Sequence, residues 1–468
     1  MQYLSTRGKI SPIPFTQAVL MGLADDGGLL LPRTIPRIGS DTFASWQKLS
    51  YADLAFEVMS RFIDDIPVSD LKDIINRSYA TFTTKDVTPV VHHGDLHILE
   101  LFHGPTLAFK DIALQFLGNV FEYLLNRDNS VLNIIGATSG DTGSAAIYGV
   151  RGKERINIFI LHPHQRVSPV QEKQMTTVLD DNVFNIAIRG SFDDGQAIVK
   201  KIFNDIEFKT KYRLGAINSI NWARILAQVV YYVRSCLHVC SHEKDSSVDF
   251  TIPTGNFGDI FAGFIAKKML PQGTIRQLVL ATNDNDILCR FVTKGDYSLA
   301  QVKVTSSPSM DIQAASNFER YLYYLLDSDP SHTRELMEEF SKNGKIDLSG
   351  HHDQIRRDFV AAAVSEIEVT ETIASFYKDH GYILDPHTAV GVKAALKFKT
   401  VGIPMVCLAT AHPAKFGGVV EQALGRLPDT PDTLAGIMEK PSRCEIMDAE
   451  KNEIQAFIAK NSGAPQPV

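Results

Sequence analysis

Residues 131–144 read VLNIIGATSGDTGS. The first half, Val131–Ala137, is a short apolar run with β-branched residues, and the second, Thr138–Ser144, is a small-residue turn that opens a helical pattern near Ser144. A strand, a glycine-containing loop and a helix in that order form half of a βαβ unit. The same texture returns in Ile156–Leu161, Val183–Ile188, Phe250–Pro253, Leu278–Ala281 and Met405–Ala409, each run leading through a turn into a segment of helical period. Repetition of the unit predicts an α/β fold, with parallel sheets covered by helices.

On the N-terminal side, residues 1–85 alternate loop signals such as DDGGLLLP (Asp25–Pro32) with helical patterns, including an amphipathic helix near Tyr51–Phe62. They predict an α-rich leading section. On the other side, Leu326–Gln354 turns charged and polar, which reads as an insertion of exposed helices, and the tail NSGAPQPV lacks any periodicity and is expected to fray.

The 468 residues are 44% hydrophobic and 22% charged, the balance of a folded soluble chain, and the length suits two to four domains. Lys and Arg total 47 against 54 Asp and Glu, a net charge of −7 that disfavours nonspecific attraction to nucleic acid or an anionic membrane. The longest apolar runs, such as Ile403–Ala409, fall far short of the roughly 20 residues of a membrane span. No secretory pattern opens the chain, so a cytoplasmic protein is expected. Five scattered cysteines fit reduced, buried thiols. Cys236 and Cys240 lack a second pair at matching spacing, so no metal site is assigned, and the doublets His92–His93 and His351–His352 read as exposed loop residues.

In an open α/β sheet, ligands collect at the carboxyl ends of the strands. TSGDTGS at Thr138–Ser144 lies at such an end, where helix-terminal N–H groups suit a carboxylate or phosphate and an ordinary capped turn is the alternative. PTGNFGD, Pro253–Asp259, follows the strand VDFTI; its Gly255 and Gly258 let the main chain close around phosphate oxygens without a lysine. After IPMVC, the loop LATAHPAKF places Thr410 as a neutral hydroxyl. GPTLAFKD, Gly104–Asp111, sets Lys110 among apolar neighbours, where a lysine can lose its proton and form a Schiff base with a carbonyl. A phosphate cradle, an imine-forming lysine, a carboxylate-binding turn and a hydroxyl for a ring nitrogen are the parts needed to hold pyridoxal 5′-phosphate and an amino acid.

The segments YLSTRG, DDGGLLLP, LFHGPTLAFKD, GATSGDTGSAA, NSINWARI, PTGNFGD, PSMDI with SNFER, and TAHPAKF keep one order from Tyr3 to Phe416. Together they resemble the long-chain branch of the threonine synthases, which are fold-type II pyridoxal-phosphate enzymes. The resemblance implies two open twisted, mainly parallel α/β domains and the α-rich N-terminal section: 1–85 leading, 86–115 with 215–468 as the large cofactor-binding domain, and 116–214 as the small one. It implies that Lys110 is the lysine linked to the cofactor and that Gly255, Asn256, Phe257, Gly258 and Asp259 hold the cofactor phosphate. Thr410 would meet the pyridine nitrogen, and Asp141 would lie near the ring oxygen, where many fold relatives carry Asn. Ser139, Gly140 and Thr142 would bind the substrate carboxylate, and Ser219, Asn221 and Arg224 the substrate phosphate. For the last three, a plain helix start with Asn218 or Ser219 as cap and Arg224 on a solvated face is the alternative.

The implied reaction is γ-elimination of phosphate from O-phospho-L-homoserine followed by addition of water at Cβ, giving L-threonine. A phospho-lyase that stops at elimination and releases 2-oxobutyrate, and a noncatalytic relative that has kept the fold, are the alternatives. A small-molecule substrate, no nucleic-acid or membrane partner, and a monomer or weak homodimer are expected.

Overall fold

The apolar runs of the sequence become strands, and the strands divide between two main sheets, one in each of two units of the chain. The computed structural model describes residues 1–240 and 247–462. One unit comprises Met1–Phe109 and Ser219–Asp429, the other Lys110–Asn218 and Thr430–Val468.

In the first unit, six strands lie in the order Phe359–Ala363, Ile275–Thr282, Val248–Pro253, Met405–Ala409, Leu96–Glu100, Val90–His93. All neighbours are parallel except the edge hairpin of Val90–His93 with Leu96–Glu100. Every residue of Val248–Pro253 and Met405–Ala409 is buried, which is why these strands read as unbroken apolar runs. Helices Glu366–His380 and Pro386–Phe398 share a core with the sheet through Ile373, Val390, Val279 and Cys407. Tyr232, on helix Trp222–Val239, brings its ring to 5.0 Å from that of Phe250 on a central strand.

The leading section is part of this unit. Tyr3–Ser5 pairs antiparallel with Leu30–Pro32, and the Tyr3 ring packs on Phe15 and Trp222 while its hydroxyl donates to Phe62 O at 2.9 Å. The expected helix near Tyr51–Phe62 spans Tyr51–Met59. Ser50 caps it by accepting from Asp53 N, and Leu54, Ala55, Val58 and Met59 are buried.

The second unit carries an all-parallel sheet ordered Glu445–Asp448, Val183–Arg189, Ile156–Pro163, Leu132–Ala137, Leu214–Gly215. Helix Lys110–Arg127 crosses helix Asp141–Val150 at a glycine pair so tight that a Cβ on Gly118 would lie 1.9 Å from Gly149 O.

Three domain boundaries differ from expectation, the smallest difference being the end of the small domain, which falls at Asn218 and not at 214. A break after residue 115 would cut helix Lys110–Arg127, so the whole helix falls in the second unit. Residues from Thr430 onward join this unit too: Glu445–Asp448 extends its sheet, and Ile454 and Ile458 fill its core with Phe159, Ile186 and Ile202. That pairing spans some 260 residues of chain and leaves no local signal.

Leu326–Gln354 contains the exposed helix Pro330–Asn343, in which Thr333 alone is buried, and the strand Lys345–Asp347, paired with Asp296–Ser298. The histidine doublets are not loops. His92 and His93 sit on the edge strand, where His93 packs on Tyr382 at 4.5 Å, and His352 begins a helix with its Nε2 2.7 Å from Thr293 O. Residues 463–468 of the expected frayed tail lie outside the described residues. Among the described residues no helix is long and apolar enough to cross a membrane.

Candidate active site

The PTGNFGD loop leaves the central strand Val248–Pro253 and enters helix Gly258–Met269. Phe257, the N-cap, is left-handed at φ 64°, ψ 0°, and no side chain caps the helix. Such a conformation costs a non-glycine residue about 1–3 kcal/mol and persists only where the surroundings impose it. Here the Phe257 ring is buried against Phe318, Tyr321 and Phe359 at 5.6–6.0 Å. Gly255 has no room for a side chain, since a Cβ would lie 2.7 Å from Ser309 O and 3.0 Å from Met310 Cα. A left-handed residue before an uncapped helix start turns successive N–H groups toward one point, the geometry of a phosphate nest.

The Asp259 side chain is engaged within the protein. Its Oδ1 accepts from Tyr231 OH at 2.5 Å and Tyr232 OH at 2.9 Å. Burial, reinforced by that carboxylate, holds both tyrosines protonated. The Asp259 side chain therefore anchors its helix to helix Trp222–Val239, and what it has to offer a phosphate is its main chain.

Thr410 follows the strand Met405–Ala409 and is 6% exposed. The segment carrying GPTLAFKD is laced to it: Leu101 N donates to Ala409 O, Phe109 N to Thr410 O, and His412 N to Leu107 O, at 2.8–3.0 Å. The buried Lys415 Nζ donates to Thr106 O at 2.8 Å. Lys110 is the next residue of the chain after Phe109.

Helix Trp222–Val239 is capped by Asn221, whose Oδ1 accepts from Ala223 N while its Nδ2 donates to Val19 O at 2.8 Å. Asn221, expected as a substrate donor, is thus engaged at both ends of its amide and takes the capping role that the alternative gave to Asn218 or Ser219. Arg224 does not lie on a solvated face. It is 5% exposed, its Nη1 has no hydrogen-bond partner, and burial lowers its pKa to about 10. An unpaired charge held in a protein interior is strongly unfavourable, and a guanidinium fork is matched by a phosphate. Ser219 Oγ lies 2.7 Å from Ser316 Oγ.

In the second unit, Lys110 begins its helix, is 7% exposed, and holds its Nζ 3.6 Å from Asp141 Oδ2. Asp141 Oδ1 accepts from Gln171 Nε2 at 2.8 Å. No motif singled out Gln171, which lies in a helix of unremarkable pattern, Pro169–Thr176. In the TSGDTGS loop, Thr138 Oγ1 accepts from Gly140 N at 3.0 Å and Gly143 N at 2.9 Å, so two N–H groups are already used. Ser139 is exposed and Thr142 half-buried.

Each unit by itself carries side chains and turns of the kind pyridoxal 5′-phosphate needs: the first a glycine-rich turn before a helix that no side chain caps and a neutral hydroxyl at a strand end, the second a buried lysine beside a carboxylate. Known proteins agree. The family description Threonine synthase N terminus matches residues 2–79, Pyridoxal-phosphate dependent enzyme matches residues 88–403, and Threonine synthase, C-terminal matches residues 388–458. The chain is 46% identical to a threonine synthase of Pseudomonas aeruginosa over the full length of both, and 48% identical to one of Schizosaccharomyces pombe over 92% of this chain and 90% of the other. It superposes on a PLP-bound threonine synthase from Brucella melitensis with a TM-score of 0.96 at 43% identity, covering 99% of this chain and 100% of that one. This chain belongs to the threonine synthase family and is a pyridoxal-phosphate-dependent lyase of fold type II.

Proposed function

We propose that the threonine synthase reaction of this chain, O-phospho-L-homoserine and water to L-threonine and phosphate, is carried by Lys110, the Gly255–Asp259 loop, Thr410, Ser139–Thr142 and Arg224. Bound pyridoxal phosphate supplies the electron sink for carbanion chemistry at the amino-acid Cα. The N–H groups of the loop Gly255, Asn256, Phe257, Gly258 and Asp259 hold the cofactor phosphate without spending a positive side chain on a permanently bound group. Thr410 offers the ring nitrogen a hydroxyl and no countercharge, and so does not favour its protonation.

Lys110 Nζ takes the Cα proton and returns it at the end. Its neighbour Asp141, held in place by Gln171, stabilises the lysine when it carries that proton. Ser139, Gly140 and Thr142 orient the substrate carboxylate. Removal of a Cβ proton then expels phosphate by breaking the Cγ–O bond and leaves a Cβ–Cγ double bond; a proton added at Cγ makes the methyl group of threonine and moves the double bond to Cα–Cβ, where water adds its oxygen at Cβ and the proton held by Lys110 returns to Cα. Arg224 meets the phosphate as charge collects on the leaving oxygen, where a buried cation acts most strongly.

The observation that carries this reading is the guanidinium of Arg224, buried with its Nη1 lacking a hydrogen-bond partner, in the unit that also holds the Gly255–Asp259 turn before a helix that no side chain caps. Incubation with O-phospho-L-homoserine and identification of the products tests it. Threonine and phosphate in equal amounts are expected. Phosphate with 2-oxobutyrate would make the chain a phospho-lyase, and no turnover a noncatalytic relative.

A further inference from the structure

Ser316 and Asn317, in the SNFER segment, lie between the two phosphate-handling loops of the first unit. Ser316 Oγ has three polar neighbours: Ser219 Oγ at 2.7 Å, Asn256 Oδ1 at 3.2 Å and Asn317 Nδ2 at 3.4 Å. A hydroxyl has one proton to give and two lone pairs to receive with. An amide oxygen only accepts and an amide NH₂ only donates, so all three bonds coexist in one arrangement alone. Ser316 donates to Asn256, and Ser219 donates to Ser316.

The Asn317 end of this chain is fixed from the interior. Arg320, fully buried, donates to Asn317 Oδ1 at 2.5 Å and to Leu30 O at 2.8 and 3.0 Å. A guanidinium cannot accept, so the Asn317 amide cannot turn over. Its Nδ2 is thereby aimed at Ser219 O and Asn256 O, both at 3.2 Å, and at Ser316. With Asn256 Oδ1 committed to Ser316, the Asn256 NH₂ group is what that side chain can present to an anion. Ser219, its proton committed to Ser316, meets a ligand through its oxygen lone pairs until that proton is drawn away.

We propose that Ser316 is a positioning residue that turns the donor end of Asn256 toward the cofactor phosphate and that competes with the substrate phosphate for the Ser219 proton. This rests on the readings that the Gly255–Asp259 loop holds the cofactor phosphate and that Ser219 meets the substrate phosphate beside Arg224. It adds that the two phosphate sites are coupled through one hydroxyl.

The test is the dissociation constant of pyridoxal phosphate for apoenzyme, followed by protein fluorescence, for wild type, S316A, S316T, S219A and Gly258→Val, with KM for O-phosphohomoserine measured beside it. Loss of one half-buried hydrogen bond that orients a donor predicts up to about tenfold weaker cofactor binding in S316A. Recovery is expected in S316T, which keeps the hydroxyl. In S316A, KM should stay level or fall, because Ser219 is released to donate to the substrate phosphate, and S219A should leave cofactor affinity within twofold. Cofactor affinity in S316A within twofold of wild type, with Gly258→Val weakened, would overturn the role of Ser316 and leave the loop assignment standing. Unchanged affinity in Gly258→Val as well would remove the loop assignment itself. Loss in S316A that S316T does not restore, with a lowered melting temperature, would reduce Ser316 to a packing residue.

Discussion

Replacing Arg224 with methionine should make the apoenzyme more stable and the enzyme far less active. Burial lowers the pKa of this guanidinium well below the ordinary arginine range, to about 10. At 1.36 kcal/mol per pH unit, that displacement is about 3 kcal/mol against the charged form. The sign follows from proton binding. Between about pH 10 and the ordinary arginine range the unfolded chain binds more protons than the folded one, so stability rises with pH there, and below pH 10 both states are charged and the folded state bears the full cost. At neutral pH methionine fills a similar volume without that cost, and Arg224→Met should raise apoenzyme stability by about 1–3 kcal/mol, or a few degrees in melting temperature. The same change removes the one charge placed to meet the leaving phosphate, so kcat/KM for O-phosphohomoserine should fall about 100-fold or more while the cofactor spectrum is kept. With cofactor bound, so that the Gly255–Asp259 loop is already filled, inorganic phosphate should stabilise the wild type through the linked binding equilibrium and not the variant. Thermal melts with and without phosphate, together with steady-state kinetics, provide both readouts. A variant that is less stable without phosphate, equally protected by it and near normal in turnover would refute the argument and return Arg224 to a structural part. Equal losses toward unphosphorylated amino acids would assign it to the carboxylate or the fold.

Borohydride reduction of the holoenzyme should fix the cofactor on Lys110, as read by peptide mapping, and Lys110→Ala should lose turnover; a label on another lysine sinks the assignment. Gly255→Val places its Cβ against Ser309 O and Met310 Cα, and its effect on cofactor affinity, about tenfold or more by absorbance titration, should exceed its effect on the denaturation midpoint. Gly118→Ala forces a methyl group into Gly149 O and should destabilise the second unit by about 3 kcal/mol in urea unfolding; an unchanged midpoint would mean that the helix crossing is not tight.

Strands were legible where apolar runs are buried on both faces. Met405–Ala409 falls at the residues the sequence predicts, and Leu132–Ala137 begins one residue inside its run. Edge strands were not: Val90–His93 carries two histidines and Glu445–Asp448 is half acidic, because a strand paired on one side keeps solvent on the other and loses its apolar signature. Of the proposed site, Lys110, the Gly255–Gly258 turn and Thr410 can be read from the sequence because each depends on a residue type at a strand or helix end. Gln171 and Ser316 cannot, since each acts through a hydrogen bond to a residue at least thirty positions away.

What the amino-acid order determined alone is therefore local chemistry: which runs pair as strands, which turns are rich in glycine, where a lysine or a hydroxyl stands at the end of an element, and through the order of its motifs the family. Tertiary structure decided how those groups are used. It attached the C-terminal strand to a sheet whose neighbouring strand lies some 260 residues earlier, gave the Asp259 carboxylate to two tyrosines, spent Asn221 on a helix cap, and buried Arg224 without a partner. Backbone propensity and periodicity act over a few residues, whereas desolvation and hydrogen-bond partnership depend on whatever the fold brings alongside.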